Sequence, residues 1–152
     1  MSRISIIKHG FSAPGLRLLG LGPSLMPCSG LKQLQNLFNN QTFWAKNRSP
    51  ENLKKMLSNS SVVISVWEEN QMVGFGRATS DFIYRAVLWD IVINTKMQGL
   101  GLGKIVVEAL LSSKAIKNVE KIYLMTTNES DFYKQIGFSI SSKQQLMVIQ
   151  KK

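Results

Sequence analysis

The sequence predicts an α/β (α+β) domain: a mixed, mostly antiparallel central sheet of six to seven strands flanked by about four helices. Three observations carry this. Between Val62 and Ile93 stand three β-branched runs, VVISVWEE, MVGFGRATS and AVLWDIVI, with only short turns near Asn70–Gln71 and Asp81 between them, the pattern of an antiparallel meander. A glycine-rich turn, MQGLGLGKI from Met97 to Ile105, follows and leads into apolar positions at helical spacing. A fourth β-rich run, KIYLMTT from Lys121 to Thr127, completes a strand–helix–strand unit, whose right-handed crossover makes its two strands parallel neighbours.

The 152 residues suit one domain, with 44% hydrophobic and 9% aromatic content. Residues 1–15, MSRISIIKHGFSAPG, contain no acidic residue and read as a flexible leader, a transit-peptide stub being the other reading. Residues 16–152 then form the single domain. Leu16–Leu19 suggests a short strand stopped by Gly20, Gly22 and Pro23. Leu31, Leu34, Leu37 and Phe38 recur at helical spacing, which predicts a helix from Ser29 to about Asn39. Ser49-Pro50-Glu51 marks an N-cap with proline at the first helical position, ahead of Leu53, Met56 and Leu57. After the meander, Ile105, Val106, Ala109, Leu110 and Leu111 predict a helix reaching about Lys117. A short helix from the cap Ser130 to the stop Gly137 precedes two terminal strands, FSIS and LMVIQK.

The net charge of +10 is the strongest compositional signal, and residues 1–50 hold six basic residues and no acidic one. Such a field attracts nucleic acid or a ligand carrying several phosphates. Scattered basic residues, with no recognition-helix or aromatic RNA motif, speak against nucleic acid. A single cysteine, Cys28, and a single histidine, His9, exclude an internal disulfide and argue against a metal site. No apolar run reaches the eighteen or so residues that span a bilayer, so no membrane is expected. The expected location is cytoplasmic, or the plastid stroma if the leader is a transit remnant.

The glycine turn suits a phosphate at a helix start. It is not a P-loop, because Gln98 stands where the first glycine belongs and Ile105 where the magnesium-binding hydroxyl belongs. A dinucleotide fingerprint ends on Lys104 or Val106 instead of glycine. What remains is Gln98-x-x-Gly101-x-Gly103.

With that motif behind a meander and Asp131-Phe132-Tyr133-Lys134-Gln135-Ile136-Gly137-Phe138 near the end, the chain resembles the GNAT superfamily of acetyl-CoA-dependent N-acetyltransferases over about residues 62–150. LWDIVI leading into QGLGLGK is most similar to plastid and cyanobacterial members described as serotonin-type or protein N-acetyltransferases. The resemblance implies a GNAT-like sheet, acetyl-CoA as cosubstrate without metal, and an amine acceptor, either a small arylalkylamine or a protein amine. A non-catalytic CoA-binding module, or a basic nucleic-acid-associated module on the same fold, is the competing reading. A monomer or homodimer fits either.

By the same resemblance, backbone amides of Gln98, Gly99, Leu100, Gly101, Leu102, Gly103 and Lys104 hold the pyrophosphate of coenzyme A. Many relatives carry basic residues where Gln98 and Leu100 stand, and Lys104 is the substitute here. Backbone groups along Ile91, Val92 and Ile93 receive the pantetheine arm. Asn128 matches a polar residue placed against the cofactor, and is also an ordinary turn residue. Tyr133 matches the acid that protonates the leaving thiolate, although a core tyrosine reads the same way. Asp90, the only acidic residue in its strand, falls on the side of alternation shared with Leu88 and Val92. It is a base for the amine or a hydrogen-bonded structural residue. The acceptor pocket is expected from Phe43, Trp44 and the loop Ser141 to Gln145, although the two aromatics read more readily as ordinary core residues. A surface this basic disfavours a polycationic acceptor.

Overall fold

The computed structural model describes residues 3–9 and 27–151. Its strands are β1 (Ile4–His9), β2 (Val62–Glu68), β3 (Gln71–Ser80), β4 (Arg85–Ile93) and β5 (Lys121–Tyr123). The helices are α1 (Pro27–Gln41), α2 (Pro50–Ser58), α3 (Leu102–Leu111) and α4 (Ser130–Ile136). The sheet runs β1-β2-β3-β4-β5, antiparallel except for the parallel β4–β5 pair. The predicted mixed sheet and its meander are thus observed, with five strands among the described residues instead of six to seven.

Both faces of the sheet are covered, which explains why Val62–Trp67 are all buried. Val63, Trp67, Phe75 and Val92 pack under α1 and α2, where Phe38 meets Phe75 edge to face at 5.4 Å. Val62, Ile64, Val66, Ala78, Ala86 and Leu88 pack under α3 through Val106 and Leu110. The Ser49 hydroxyl caps α2, accepting the Asn52 amide at 3.1 Å, as the Ser-Pro signal indicated.

Three expectations change, and a fourth falls outside the described residues. Residues 4–9 of the expected leader are a strand, paired with β2 from Ile4↔Glu68 to His9↔Val63, because Ile7 reaches the buried face and adds to the α1/α2 core. The expected strand at 16–19 lies outside the described residues. Helix α3 starts at Leu102 and ends at Leu111, with turns and not helix continuing to Asn118. FSIS and LMVIQK join no ladder, and Ile140, Leu146, Met147, Val148 and Ile149 are exposed. Strand propensity alone does not supply a partner for backbone hydrogen bonds.

β1 also carries a buried titratable group. His9 is 4% exposed; its Nε2 lies 2.9 Å from Ser65 Oγ, which accepts the Trp67 indole N–H. His9 Nδ1 has no hydrogen-bond partner among the described residues. Burial pushes this imidazole down to about 4 from 6.5. The unfolded chain therefore takes up the proton first as pH falls, and stability drops between about pH 6.5 and 4 by on the order of 3 kcal/mol. Urea unfolding across that window should show this loss, and His9→Leu should remove it; an unchanged slope in the variant would assign the acid sensitivity elsewhere.

Candidate functional site

The site begins with a break in the sheet. Between the pairs Phe75↔Val92 and Arg77↔Trp89, β3 has one residue, Gly76, whereas β4 has two, Asp90 and Ile91. This is a β-bulge, and Asp90 sits at its centre with φ +53°. The extra residue breaks the alternation. Leu88 packs in the α3-side core and Val92 in the opposite one, so the expected shared side for Leu88, Asp90 and Val92 does not exist.

The bend also parts β4 from its parallel neighbour. Their pairing runs only from Arg85↔Lys121 to Val87↔Tyr123. The strand expected to continue to Thr127 stops at Tyr123 because β4 turns away. Beyond that point the chain from Leu124 to Asn128 faces Leu88–Ile91 across a cleft of about 430 Å³, a volume within the usual range for ligand sites. Phe43, Trp44, Glu129, Tyr133 and Leu146 complete the walls.

Tyr133, on α4, stands at this cleft, in edge contact with Phe132 at 5.0 Å and Phe138 at 5.9 Å. Burial pushes its phenol up to about 12, with the Glu129 charge adding to the rise. The hydroxyl is therefore protonated throughout the physiological range, as a proton donor requires.

Asp90 is held on three sides. Its Oδ2 accepts Arg77 Nε at 2.8 Å and pairs with Arg48 at 3.2 Å, while Oδ1 accepts the Trp44 indole N–H at 3.3 Å. Its side chain is 5% exposed. This carboxylate ties the α1–α2 linker to the bulge and fixes Trp44 at the cleft. Asp90→Asn leaves two guanidiniums facing a neutral amide, and the melting curve should show a loss on the order of 3 kcal/mol. A variant as stable as the parent would mean that the ion pairs contribute little and would return Asp90 to the role of base.

The glycine turn lies at the start of α3. Gly99 and Gly101 adopt φ +85° and +77°, and Gly101 is the N-cap with no side-chain cap. The first bond of the helix runs from Ile105 N–H to Gly101 carbonyl. The amides of Leu102, Gly103 and Lys104, ahead of it, have no acceptor within the helix, the condition for holding an anion. Gly103 has a different constraint: an added Cβ would meet Phe132 Cζ at 3.2 Å, so its smallness sets how closely α3 approaches α4. Gln98 Nε2 reaches the Ile93 carbonyl only at 3.5 Å, and Lys104 lies 3.8 Å from Glu108 with both exposed. Leu100 is exposed.

The fold thus brings Asp90, Ile91, Asn128 and Tyr133 to one cleft, with Phe43 and Trp44. The side chains of Val92 and Ile93 do not line it: Val92 packs in the α1/α2 core and Ile93 against the α3-side core. The core reading of Phe43 and Trp44 fails, because they are 71% and 50% exposed and stack edge to face at 5.2 Å. Of the expected stretch around Ser141 to Gln145 no residue lines the cleft, whereas Leu146 does. The opening between β4 and the chain ending at Thr127 is the one the resemblance implies, whereas Trp89 and Glu129 were missed. Trp89 was visible only as a neighbour of Asp90, and nothing local signalled Glu129.

Among the described residues no helix is long and apolar enough to cross a membrane, and no group of three or more His, Cys, Asp or Glu could hold a metal ion.

The family model described as "Acetyltransferase (GNAT) family" matches residues 31–138. The "Uncharacterized N-acetyltransferase ycf52" of Pyropia yezoensis is 39% identical over 100 residues, covering 62% of this chain and 57% of that protein. "Serotonin N-acetyltransferase 2, chloroplastic" of Oryza sativa subsp. japonica is 36% identical over 101 residues, covering 61% and 49%. The chain spans about half the length of the curated relatives it matches. A putative acetyltransferase of the same family from Xanthomonas campestris pv. campestris has the same fold, with TM-score 0.70 at 19% identity over 97% of this chain and 95% of that one. With the family model spanning meander, glycine turn and Tyr133 helix, this chain belongs to the GNAT family of acetyltransferases.

Proposed function

We propose that the chain transfers the acetyl group of acetyl-CoA to a primary amine by direct attack in a ternary complex. The observation that carries this reading is the cleft between the parted β4 and Leu124–Asn128, with protonated Tyr133 in its wall and the unsatisfied amides of α3 on the far side of Phe132. Those amides, freed for close approach by two left-handed glycines, fit a pyrophosphate. Bound there, acetyl-CoA supplies a thioester carbonyl open to attack.

The chain's own residues then have separate tasks. Amides of Leu102–Lys104 anchor the phosphates, Ile91 and Ile93 offer backbone groups where the β4–β5 ladder has ended, and Asn128 offers a polar contact beside the cleft. The amine nitrogen forms its bond to the carbonyl carbon as the carbon–sulfur bond breaks. Tyr133 gives its proton to the departing sulfur and regains one from solvent. The amine's proton passes to water, because Asp90 already accepts from three donors and serves to position Trp44.

The aromatic wall of Phe43, Trp44 and Trp89 favours an arylalkylamine over a protein amine. Relatives carry names of both kinds: the rice serotonin enzyme, and "Histone acetyltransferase TAP1" of Glycine max, 33% identical over 72 residues. The reading takes residues 16–152, with β1 added to their sheet, as one catalytic domain, acting as a monomer or homodimer. Its location is the cytoplasm, or the plastid stroma in the manner of relatives named as chloroplastic. Mass spectrometry of arylalkylamines, peptides and the chain's own lysines after incubation with acetyl-CoA tests it, and the absence of any acetylated product would refute it.

The surplus charge steers the phosphorylated cosubstrate in this reading. Stopped-flow association of coenzyme A should slow about tenfold or more from low to high ionic strength as screening grows. A flat rate would detach the charge from cofactor capture.

A further inference from the structure

The cleft's lining departs from the basic character of the chain. The chain is +10, yet the cleft's lining contains two carboxylates, Asp90 and Glu129, and no lysine, arginine or histidine. The two carboxylates differ in what already faces them. Asp90 is one negative charge against two guanidiniums, Arg48 and Arg77, and is closed off from solvent. Glu129 is exposed at the cleft and forms no ion pair with a described residue; the observed pairs are made by Glu51, Asp90, Glu108 and Glu120.

Glu129 is also held in place. Its amide donates to Thr126 Oγ1 at 3.1 Å, and its carbonyl accepts from the Tyr133 amide, so its backbone is anchored at the head of α4. Its charge reaches the Tyr133 phenol, whose proton it helps to retain. In the same cleft stand Phe43 and Trp44, their rings exposed, and Trp89, whose indole N–H donates to Thr79 Oγ1 and whose ring has the Arg77 guanidinium over it at 5.8 Å. An unpaired carboxylate and exposed aromatic rings lining one cleft suit an organic cation with an aromatic body.

We propose that Glu129 is the anionic contact for the acceptor's ammonium, and that the acceptor is an arylalkylammonium monocation whose ring lies against Phe43, Trp44 and Trp89. The inference rests on the acetyltransfer reading only in naming the occupant an acceptor. The surrounding positive field sets the limit of one charge: a monocation gains the local carboxylate, whereas each further cationic centre meets the basic surface. Glu129 acts here in binding. The proton lost before attack still passes to water.

Calorimetry on the full chain with tryptamine and with 3-ethylindole, which has the same ring system but no ammonium, tests this without requiring turnover. The parent should bind tryptamine roughly fivefold tighter, the scale of an exposed charge pair, and Glu129→Gln should erase the difference while retaining the parent's melting temperature and acetyl-CoA affinity. Equal affinities in the parent, no binding of either compound, or a preference that survives in Glu129→Gln would each overturn the proposal. A turnover assay with acetyl-CoA and tryptamine runs beside it. Should the preference depend on Glu129 but no acetyltryptamine form, the acetyltransfer reading fails while the cation site stands.

Discussion

Tyr133→Phe is expected to lower kcat by about two orders of magnitude while leaving the Kd for acetyl-CoA and the melting temperature close to those of the parent. The phenol is half-buried against Phe132 and Phe138, and phenylalanine preserves those ring contacts. What is lost is the proton at the cleft, which matters only once negative charge develops on sulfur. The pH profile gives a second signature. With the phenol pushed up to about 12, Tyr133 stays protonated far above the pH at which an ordinary tyrosine ionises, so the parent should show no alkaline limb from this residue below about pH 11. Its linkage to stability has the same sign: the phenol favours the fold fully below pH 10.0 and loses that contribution as pH rises through about 12. Unfolding from this source therefore stays outside the kinetic window. An acceptor amine of low pKa keeps its own titration out of the profile. Full kcat in the phenylalanine variant, with such an acceptor, would remove Tyr133 from the chemistry.

Gly101→Val is expected to raise the Kd for acetyl-CoA at least about tenfold. Gly101 holds φ +77° at the N-cap of α3, a conformation that costs an L-residue about 1–2 kcal/mol and a β-branched one more. A Cβ there meets nothing within 4 Å of the protein, so the fold itself has no clash to relieve. Either the loop relaxes to negative φ and misaims the Leu102–Lys104 amides, or it keeps its path and places a side chain at the anchoring end. Gly103→Ala separates the two glycines, since its Cβ presses on Phe132, the neighbour of Tyr133, and should act on kcat more than on binding. Calorimetry on folded Gly101→Val showing the parent's affinity would end the cradle assignment.

The parts of this protein legible in its sequence are those encoded by local chemistry. The meander, the Ser49-Pro50 cap, the Gly137 stop at φ +114° and the glycine turn each depend on neighbouring residues whose backbone preferences do not need the rest of the chain. Tyr133 was found through its local motif. Three things depended on contacts between distant residues. Ile4–His9 is a strand only because β2 offers its edge, the nearest pair, His9↔Val63, being 54 residues apart in the chain. The FSIS and LMVIQK runs have strand propensity but no ladder to join. Most consequential is the bulge: period-two alternation assigned Asp90 a face, and one residue too many on β4 opposite Gly76 changed it. That extra residue parts β4 from β5, opens the cleft, and turns Asp90 into the meeting point of Arg48, Arg77 and Trp44. Register is a property of two strands at once, so a single strand's sequence shows which residues alternate, and only the paired sheet decides where the alternation breaks.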